Sequence, residues 1–330
     1  MTRAQSNMLL LLSAAIWGCG NVAQKMVLSD IGPFTVVGFR GLLAVLTVLP
    51  FAAREVEIAA PLRRADWLLA AAVSGLFAAA TILTQVAFGG TSATNAGFLI
   101  NTSTVMTPFI ARRIYGQPQG WSIWPAGAAT CIGIWLLGGA SIAAISWGDA
   151  VCVLAAAAYS VWMILIGRFV MRTRQPMLAA ALQFGITAAC GLILGLTLES
   201  ITLEGLSKAL PLLYFLGIVS TGAGFAISSY AQTHTPASDT SIILSAESLF
   251  GAASAAIVLG ERLSPAAGIG ATFIMAGIAL VQLASIGRAM RALHGWITWV
   301  WLEITIQFTD ILPKPYRNES PVHLETMLLL

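Results

Sequence analysis

The chain has 330 residues, of which 58% are apolar before its 31 glycines are counted, and only 9% are charged. An ordinary soluble domain is about 25% charged, so 17 basic and 14 acidic side chains are too few to clothe this chain in a water-facing surface. A soluble fold is excluded, and the net charge of +3 is too small to point to nucleic acid.

Apolar windows of about 20 residues predict spans at 8–28, 34–52, 67–88, 92–114, 121–140, 149–170, 177–198, 209–232, 237–259 and 265–286. Short connections rich in Gly, Pro or charge separate them: Asp30 to Pro33, Arg54 to Asp66, Gly89-Gly90, Gly116 to Gly120, Gly148-Asp149, Arg172 to Pro176, His234 to Pro236 and Gly260 to Arg262. At the N-terminus Arg3 and the apolar run after it have the look of a signal peptide, with Cys19 at a lipoprotein-like site. Trp17 and the continuation to Leu28 favour a span instead. The expected fold is an all-α polytopic membrane protein with ten transmembrane helices. Four cysteines lie singly in four apolar stretches with no neighbouring His, which favours small packing residues over a disulfide or zinc framework.

With the N-terminus inside, the cytoplasmic segments hold Arg3, Arg54, Arg63, Arg64, Arg112, Arg113, Arg168, Arg172, Arg174, Arg288 and Arg291. The external loops hold only Lys208 and Arg262. This bias is what the positive-inside rule demands, and it places both termini in the cytoplasm.

A shift of 144 positions superimposes Thr91 to Asn95 on Thr235 to Asp239, Gly116 on Gly260, Gly133-Ile134 on Gly277-Ile278 and Leu136 on Leu280. Span four pairs with nine and five with ten, so each half has five spans. An odd number obliges the second half to enter the membrane with opposite polarity. The expected organisation is therefore two inverted five-helix repeats, residues 1–146 and 147–291, followed by a tail, 292–330. Inverted repeats mark secondary transporters that expose a central site to either side in turn.

Several of these residues carry a family resemblance. Leu259-Gly-Glu-Arg-Leu-Ser264 with Gly268, Gly270 and Gly277, Trp17-Gly18 with Asn21 and Lys25, and Pro33 with Arg40 are part of it. So are Asn95 to Leu99 with Pro108, Trp147-Gly-Asp149, Ser220 to Gly224 and Tyr230 to Gln232. Over roughly residues 7–288 the chain resembles the ten-span, EamA-type branch of the drug/metabolite transporter superfamily. The resemblance implies a bacterial inner-membrane protein that exports or facilitates movement of small metabolites. Amino acids are the commonest substrates, including those of the aromatic amino-acid exporters of the YddG type. The chain departs from the family where Gly116-Gln-Pro118 stands opposite Gly260-Glu-Arg262, leaving one acidic residue missing and no charge-based role assigned there. The tail from Ala292 resembles nothing in the family. Its run Trp296 to Leu312, interrupted by Glu303, reads equally as an eleventh helix, a surface-lying segment or foreign sequence.

Polar stripes at helical spacing point to a pathway. Span three carries Ser74, Thr81 and Gln85 with Phe77 and Phe88 beside them. Span four carries Thr94, Asn101 and Thr104, flanked by Asn95 and Thr102. Span eight carries Thr221, Ser228 and Gln232 with Phe225, and span nine Ser238, Ser241, Ser245 and Ser248. For any one Ser or Thr, interhelical adhesion is a better reading than substrate contact. It is less so for Gln85, Asn95 and Asn101, whose amides are costly to bury unpaired. Trp17, beside Asn21, and Tyr159 and Trp162 are candidate cavity walls, while Trp121, Trp124 and Trp147 suit the membrane interface. Among charges within spans, Lys25 is expected to snorkel. Glu247, midway along the ninth span, either faces the cavity, contacting a substrate ammonium or titrating, or pairs with Arg40 or a backbone group. Gly191-x-x-x-Gly195, Gly133 and Gly277 suit close helix contact.

No G-x-x-x-x-G-K loop and no H-E-x-x-H occurs, and three histidines are scattered, so neither ATP-driven pumping nor metal or other enzyme chemistry is expected, and no cofactor. The expected partners are a small-molecule substrate and the lipid bilayer, with the chain a monomer or weak homodimer. A proton-coupled multidrug exporter and a non-transporting membrane assembly subunit stand as alternatives.

Overall fold

The computed structural model describes residues 3–115, 123–137, 145–232, 243–262 and 264–280. By its internal contacts the chain divides into Met1–Gln282 and Leu283–Leu330, and the second unit, with the expected tail, lies outside the described residues. Every regular element among the described residues is helical. In order these are α1 (Arg3–Met26), closed by a 3-10 turn, α2 (Pro33–Ile58), α3 (Arg64–Ala87), α4 (Ala93–Asn101), α5 (Ser103–Tyr115), α6 (Ile123–Leu137) and α7 (Trp147–Thr173). They continue with α8 (Pro176–Leu198), α9 (Leu203–Tyr214), a π-helical stretch (Phe215–Ala223), α10 (Gly224–Gln232), α11 (Glu247–Val258) and α12 (Pro265–Leu280).

Six helices among the described residues are long and apolar enough to cross a membrane: Ala4–Ser29, Pro33–Ile58, Arg64–Ala87, Trp147–Thr173, Pro176–Leu198 and Leu203–Ala231. Shorter apolar helices follow at Trp124–Leu136, Ile243–Val258 and Pro265–Leu280. Outward faces carry apolar side chains such as Leu46, Ile193, Leu196 and Ile257, each more than half exposed, as a chain dissolved in hydrocarbon requires. The protein is a multi-pass membrane protein.

The structure changes several sequence expectations. α2 continues to Ile58, so Arg54, Glu55 and Glu57 lie on helix and not in a loop. The expected span 92–114 is broken at Thr102. The expected span 237–259 is broken at Ala246, so Glu247 opens α11 and does not sit inside a continuous helix; residues 237–242 lie outside the described ones. These two breaks are 144 positions apart, the offset of the sequence repeat.

Contacts between repeat-related helices have a reciprocal form. α2 and α8 each begin with Pro in the first turn, and neither has a side-chain cap of its own. Each receives one from the far end of the other. Glu199 accepts from Phe34 N and Thr35 N, both at 2.8 Å, and from Thr35 Oγ1 at 2.6 Å. Glu55 accepts from Met177 N at 2.8 Å and Leu178 N at 2.9 Å. The two carboxylates are 144 positions apart, and the helices run antiparallel. α6 and α12 repeat the pattern through glycines. A Cβ on Gly133 would stand 2.7 Å from Gly270 O and 3.0 Å from Ile274 N, and one on Gly277 would stand 2.9 Å from Ala126 O and 2.6 Å from Thr130 Oγ1. Each contact maps on the other by the same offset of 144 positions.

Candidate functional site

A polar junction forms where α1 meets the two broken helices. α1 approaches α11 closely because both carry glycine: a Cβ on Gly18 would lie 2.6 Å from Gly251 N. That approach puts Asn21 beside both breaks, with Nδ2 in a 3.5 Å contact with Glu247 Oε1. On the other side of the junction Asn101 Nδ2 donates to Ser248 Oγ at 2.8 Å and to Gly97 O at 2.9 Å. Ser248 Oγ also donates to Gly97 O at 3.2 Å, so α4 and α11 are joined by side chains beside the breaks. Ser245 is half-buried just before Ala246.

From Asn21 the polar chain continues inward. Gln24 Nε2 donates to Asn21 Oδ1 at 3.4 Å, and Arg40 Nη1 donates to Gln24 Oε1 at 2.5 Å. Arg40 Nε donates to Thr221 Oγ1 at 2.9 Å, and Gln85 Nε2 donates to Gln24 O at 3.0 Å. Thr221 belongs to the π-helical stretch, where its hydroxyl donates to Leu216 O at 2.7 Å and Trp17 Nε1 donates to Ser220 O at 2.8 Å. The wide π turns leave carbonyls that side chains can occupy, a feature frequent at functional sites. Arg40, Glu247, Asn101 and Trp17 are half-buried, whereas Asn21, Gln24, Gln85 and Thr221 are buried. The direct Arg40–Glu247 pair allowed by the sequence is not formed: two amide side chains stand between them.

An aromatic cluster adjoins this chain. Phe77 on α3 packs against Tyr159 and Trp162 on α7 and Phe184 on α8, with ring centroids 6.1, 5.2 and 5.7 Å away. Phe225 on α10 closes on Phe184 at 5.7 Å. Two polar groups orient the rings. Tyr159 OH lies 3.2 Å from Thr81 Oγ1, and Trp162 Nε1 donates to Gln183 Oε1 at 3.0 Å. Tyr159 and Glu247 both lie within electrostatic reach of Arg40, so the aromatic cluster and the polar chain share one neighbourhood. Ser228, also on α10, is buried.

The structure thus gathers Trp17, Asn21, Gln85, Asn101 and Glu247 into one network and Phe77, Thr81, Tyr159, Trp162 and Phe225 into its aromatic flank. Asn95 does not join them. It lines a separate recess of about 570 Å³ at one end of the bundle with Lys25, Thr91, Ser92, Ser146, Asp149 and Glu261. There Lys25 does not snorkel. Its Nζ donates to Phe88 O and Thr91 O, both at 2.6 Å, satisfying the carbonyl end of α3. Thr91 Oγ1 bonds Asp149, and Glu261 accepts from Ala93 N at 2.8 Å and Thr94 N at 3.0 Å. Glu261 therefore has a role the sequence did not assign, the N-terminal cap of α4. Gln232's side chain, Ser238 and Ser241 lie outside the described residues.

Sequence reasoning missed Gln24, Phe184 and Gln183 as members of the site and placed Arg40 only as a partner of Glu247. Gln24 sits three residues after Asn21, a spacing that puts both on one face of α1 and marks it in retrospect. Phe184 and Gln183 carry no such signal, because α8 is apolar on nearly every side.

Long apolar helices with polar and aromatic side chains gathered between them define a multi-pass membrane transporter. The chain belongs to the EamA-like transporter family, whose model matches it twice, over residues 5–139 and 146–283. It is 25% identical over 281 residues to an uncharacterized transporter of Archaeoglobus fulgidus, covering 85% of this chain and 87% of that one. It is also 25% identical over 287 residues to an uncharacterized transporter, YwfM, of Bacillus subtilis, covering 84% of this chain and 94% of that one. A solved crystal structure 16% identical in sequence shares the fold, with a TM-score of 0.62 over 86% of this chain and 97% of the other.

Proposed function

We propose that the protein is an alternating-access carrier of small metabolites in the inner membrane, with amino acids, aromatic or neutral ones among them, as its substrates. In this reading ten spans form two inverted halves, residues 1–146 and 147–291, with both termini cytoplasmic. The observation that carries it is the pair of helix breaks at Thr102 and Ala246, one in each half at the repeat offset, with Asn101, Ser248, Glu247 and Asn21 gathered around them. Broken helices that face each other across a repeat interface are where transporters of this architecture place substrate. The antiparallel, reciprocally capped α2 and α8 support the inversion. Asn21, Phe77, Thr81, Gln85, Asn101, Tyr159, Trp162, Phe225, Ser228, Ser245, Glu247 and Trp17 line the substrate route, and Asn95 lies at one mouth of it.

Counterflow of the twenty amino acids into proteoliposomes bearing the pure protein tests the reading. Accumulation of at least one of them against a preloaded pool is expected, and none for any amino acid removes the amino-acid assignment. Glu247, held by a single long amide contact, also favours a second reading in which transport is proton-coupled. Glu247→Gln then flattens the dependence of rate on pH; an unchanged rate and profile remove Glu247 from coupling.

A further inference from the structure

We propose that Arg40 and Glu247 are the two poles of a zwitterion site: Arg40 takes the carboxylate and Glu247 the ammonium of an amino acid whose side chain lies against the aromatic cluster. The inference rests on the carrier reading above and adds Arg40 as the residue that selects for a carboxylate.

Arg40 is held only by neutral acceptors among the described residues, Gln24 Oε1 and Thr221 Oγ1. A guanidinium carries five N–H donors in a planar fork suited to a carboxylate, so most of that fork is uncommitted. Glu247 is equally underused among the described residues, with one 3.5 Å amide contact to a group that can accept about four hydrogen bonds. The two charges are in electrostatic reach of each other, yet Gln24 and Asn21 hold them apart. Direct contact would neutralise both and leave nothing for a ligand to gain. Separation by two amides leaves each charge open to a ligand's opposite charge, and both side chains are half-buried and not sealed in the core.

A ligand of one sign satisfies one pole and leaves the other facing low dielectric, whereas a zwitterion satisfies both. Position also favours this ligand. Tyr159, within electrostatic reach of Arg40, belongs to the cluster of Phe77, Trp162, Phe184 and Phe225, so a ring attached between the two charges has an apolar wall to pack against.

The test is equilibrium binding to the purified full chain of phenylalanine, phenethylamine, which lacks the carboxylate, and 3-phenylpropionate, which lacks the ammonium. The wild type should bind phenylalanine about tenfold or more tightly than either analogue, the size of effect a charge-assisted pair gives. Arg40→Gln should bind phenylalanine and phenethylamine alike, and Glu247→Gln should bind phenylalanine and phenylpropionate alike. Arg40→Lys, which keeps the charge and the fold but loses the fork, should keep part of the preference, so an unfolded Arg40→Gln does not end the test. No preference in the wild type, or an undiminished preference in Arg40→Lys and Arg40→Gln, overturns the inference. The carrier reading fails separately: it falls if phenylalanine binds with this pattern yet no amino acid shows counterflow.

Discussion

Asn101 has two jobs at once, and its amide shows how a single side chain can define a helix break. Its Nδ2 bonds the carbonyl of Gly97 one turn back and the hydroxyl of Ser248 on the opposite broken helix. Thr102 then turns its own hydroxyl onto Leu99 O at 2.6 Å, and the α-helical ladder stops. Such cross-helix bonds are worth only about 0.6 kcal/mol in membranes. A double-mutant cycle of Asn101→Ala and Ser248→Ala should therefore show a coupling of that order in thermal unfolding, with a far larger loss in transport than in stability. Loss of both in proportion would make the pair structural. Trp17 offers a parallel case: Trp17→Phe keeps the ring and removes the bond to Ser220 O. Substrate affinity should fall severalfold with the melting temperature little changed, as measured by binding and by thermal unfolding of the same preparation.

At the scale of elements, the molecule spends its few carboxylates on helix ends. Glu55, Glu199 and Glu261 each cap the N-terminus of a helix far away in sequence, while Asp66 and Asp149 cap their own, accepting from Arg63 N at 2.9 Å and Ser146 N at 3.0 Å. A helix start in or near hydrocarbon has no water to satisfy its free N–H groups, so a carboxylate that also complements the dipole is well placed there. Glu55→Ala and Glu199→Ala should each destabilise by about 1 kcal/mol. The double variant should be close to additive because the caps lie at opposite ends of the α2–α8 pair. Gly133→Leu and Gly277→Leu should both prevent α6 and α12 from closing and lower the melting temperature alike, since each would drive a side chain into the facing backbone. These devices mark the limit of what the sequence discloses. Apolar windows located helices because lipid demands long apolar runs, and the 144-residue offset was visible because related glycines and turns kept their spacing. The breaks at Thr102 and Ala246 have no Gly or Pro at the break itself to announce them, and the bond from Asn101 to Ser248 that joins the two broken helices is visible only in three dimensions. The long-range caps were equally hidden: Glu55 reads locally as a loop charge and acquires its meaning only when α8 is laid beside it. Lys25 reads as a snorkelling lysine for the same reason, its carbonyl partners Phe88 and Thr91 lying in the turn between α3 and α4.

On the whole-molecule scale, the reciprocal contacts suit a protein that changes state by moving one half against the other. The α2–α8 and α6–α12 contacts are close and reciprocal, while the junction is polar and includes the long 3.5 Å approach of Asn21 to Glu247 beside shorter bonds such as that of Asn101 to Ser248 at 2.8 Å. In the proposed alternating-access cycle such a site opens to one side and then the other. Most of the polar residues that the sequence nominated do lie at this junction. Asn95 lies in a separate recess, Ser238 and Ser241 lie outside the described residues, and the polar relay from Arg40 through Gln24 was found only once α1 and α2 were seen side by side. The central claim is that the junction is reached alternately from both membrane faces. Its most direct measurement is labelling of a single cysteine at Asn101, in a chain whose own four cysteines are replaced, by a membrane-impermeant reagent applied from each side of the membrane. Labelling from both sides, with substrate shifting the ratio, is the predicted result; labelling from one side only, with or without substrate, would contradict the account.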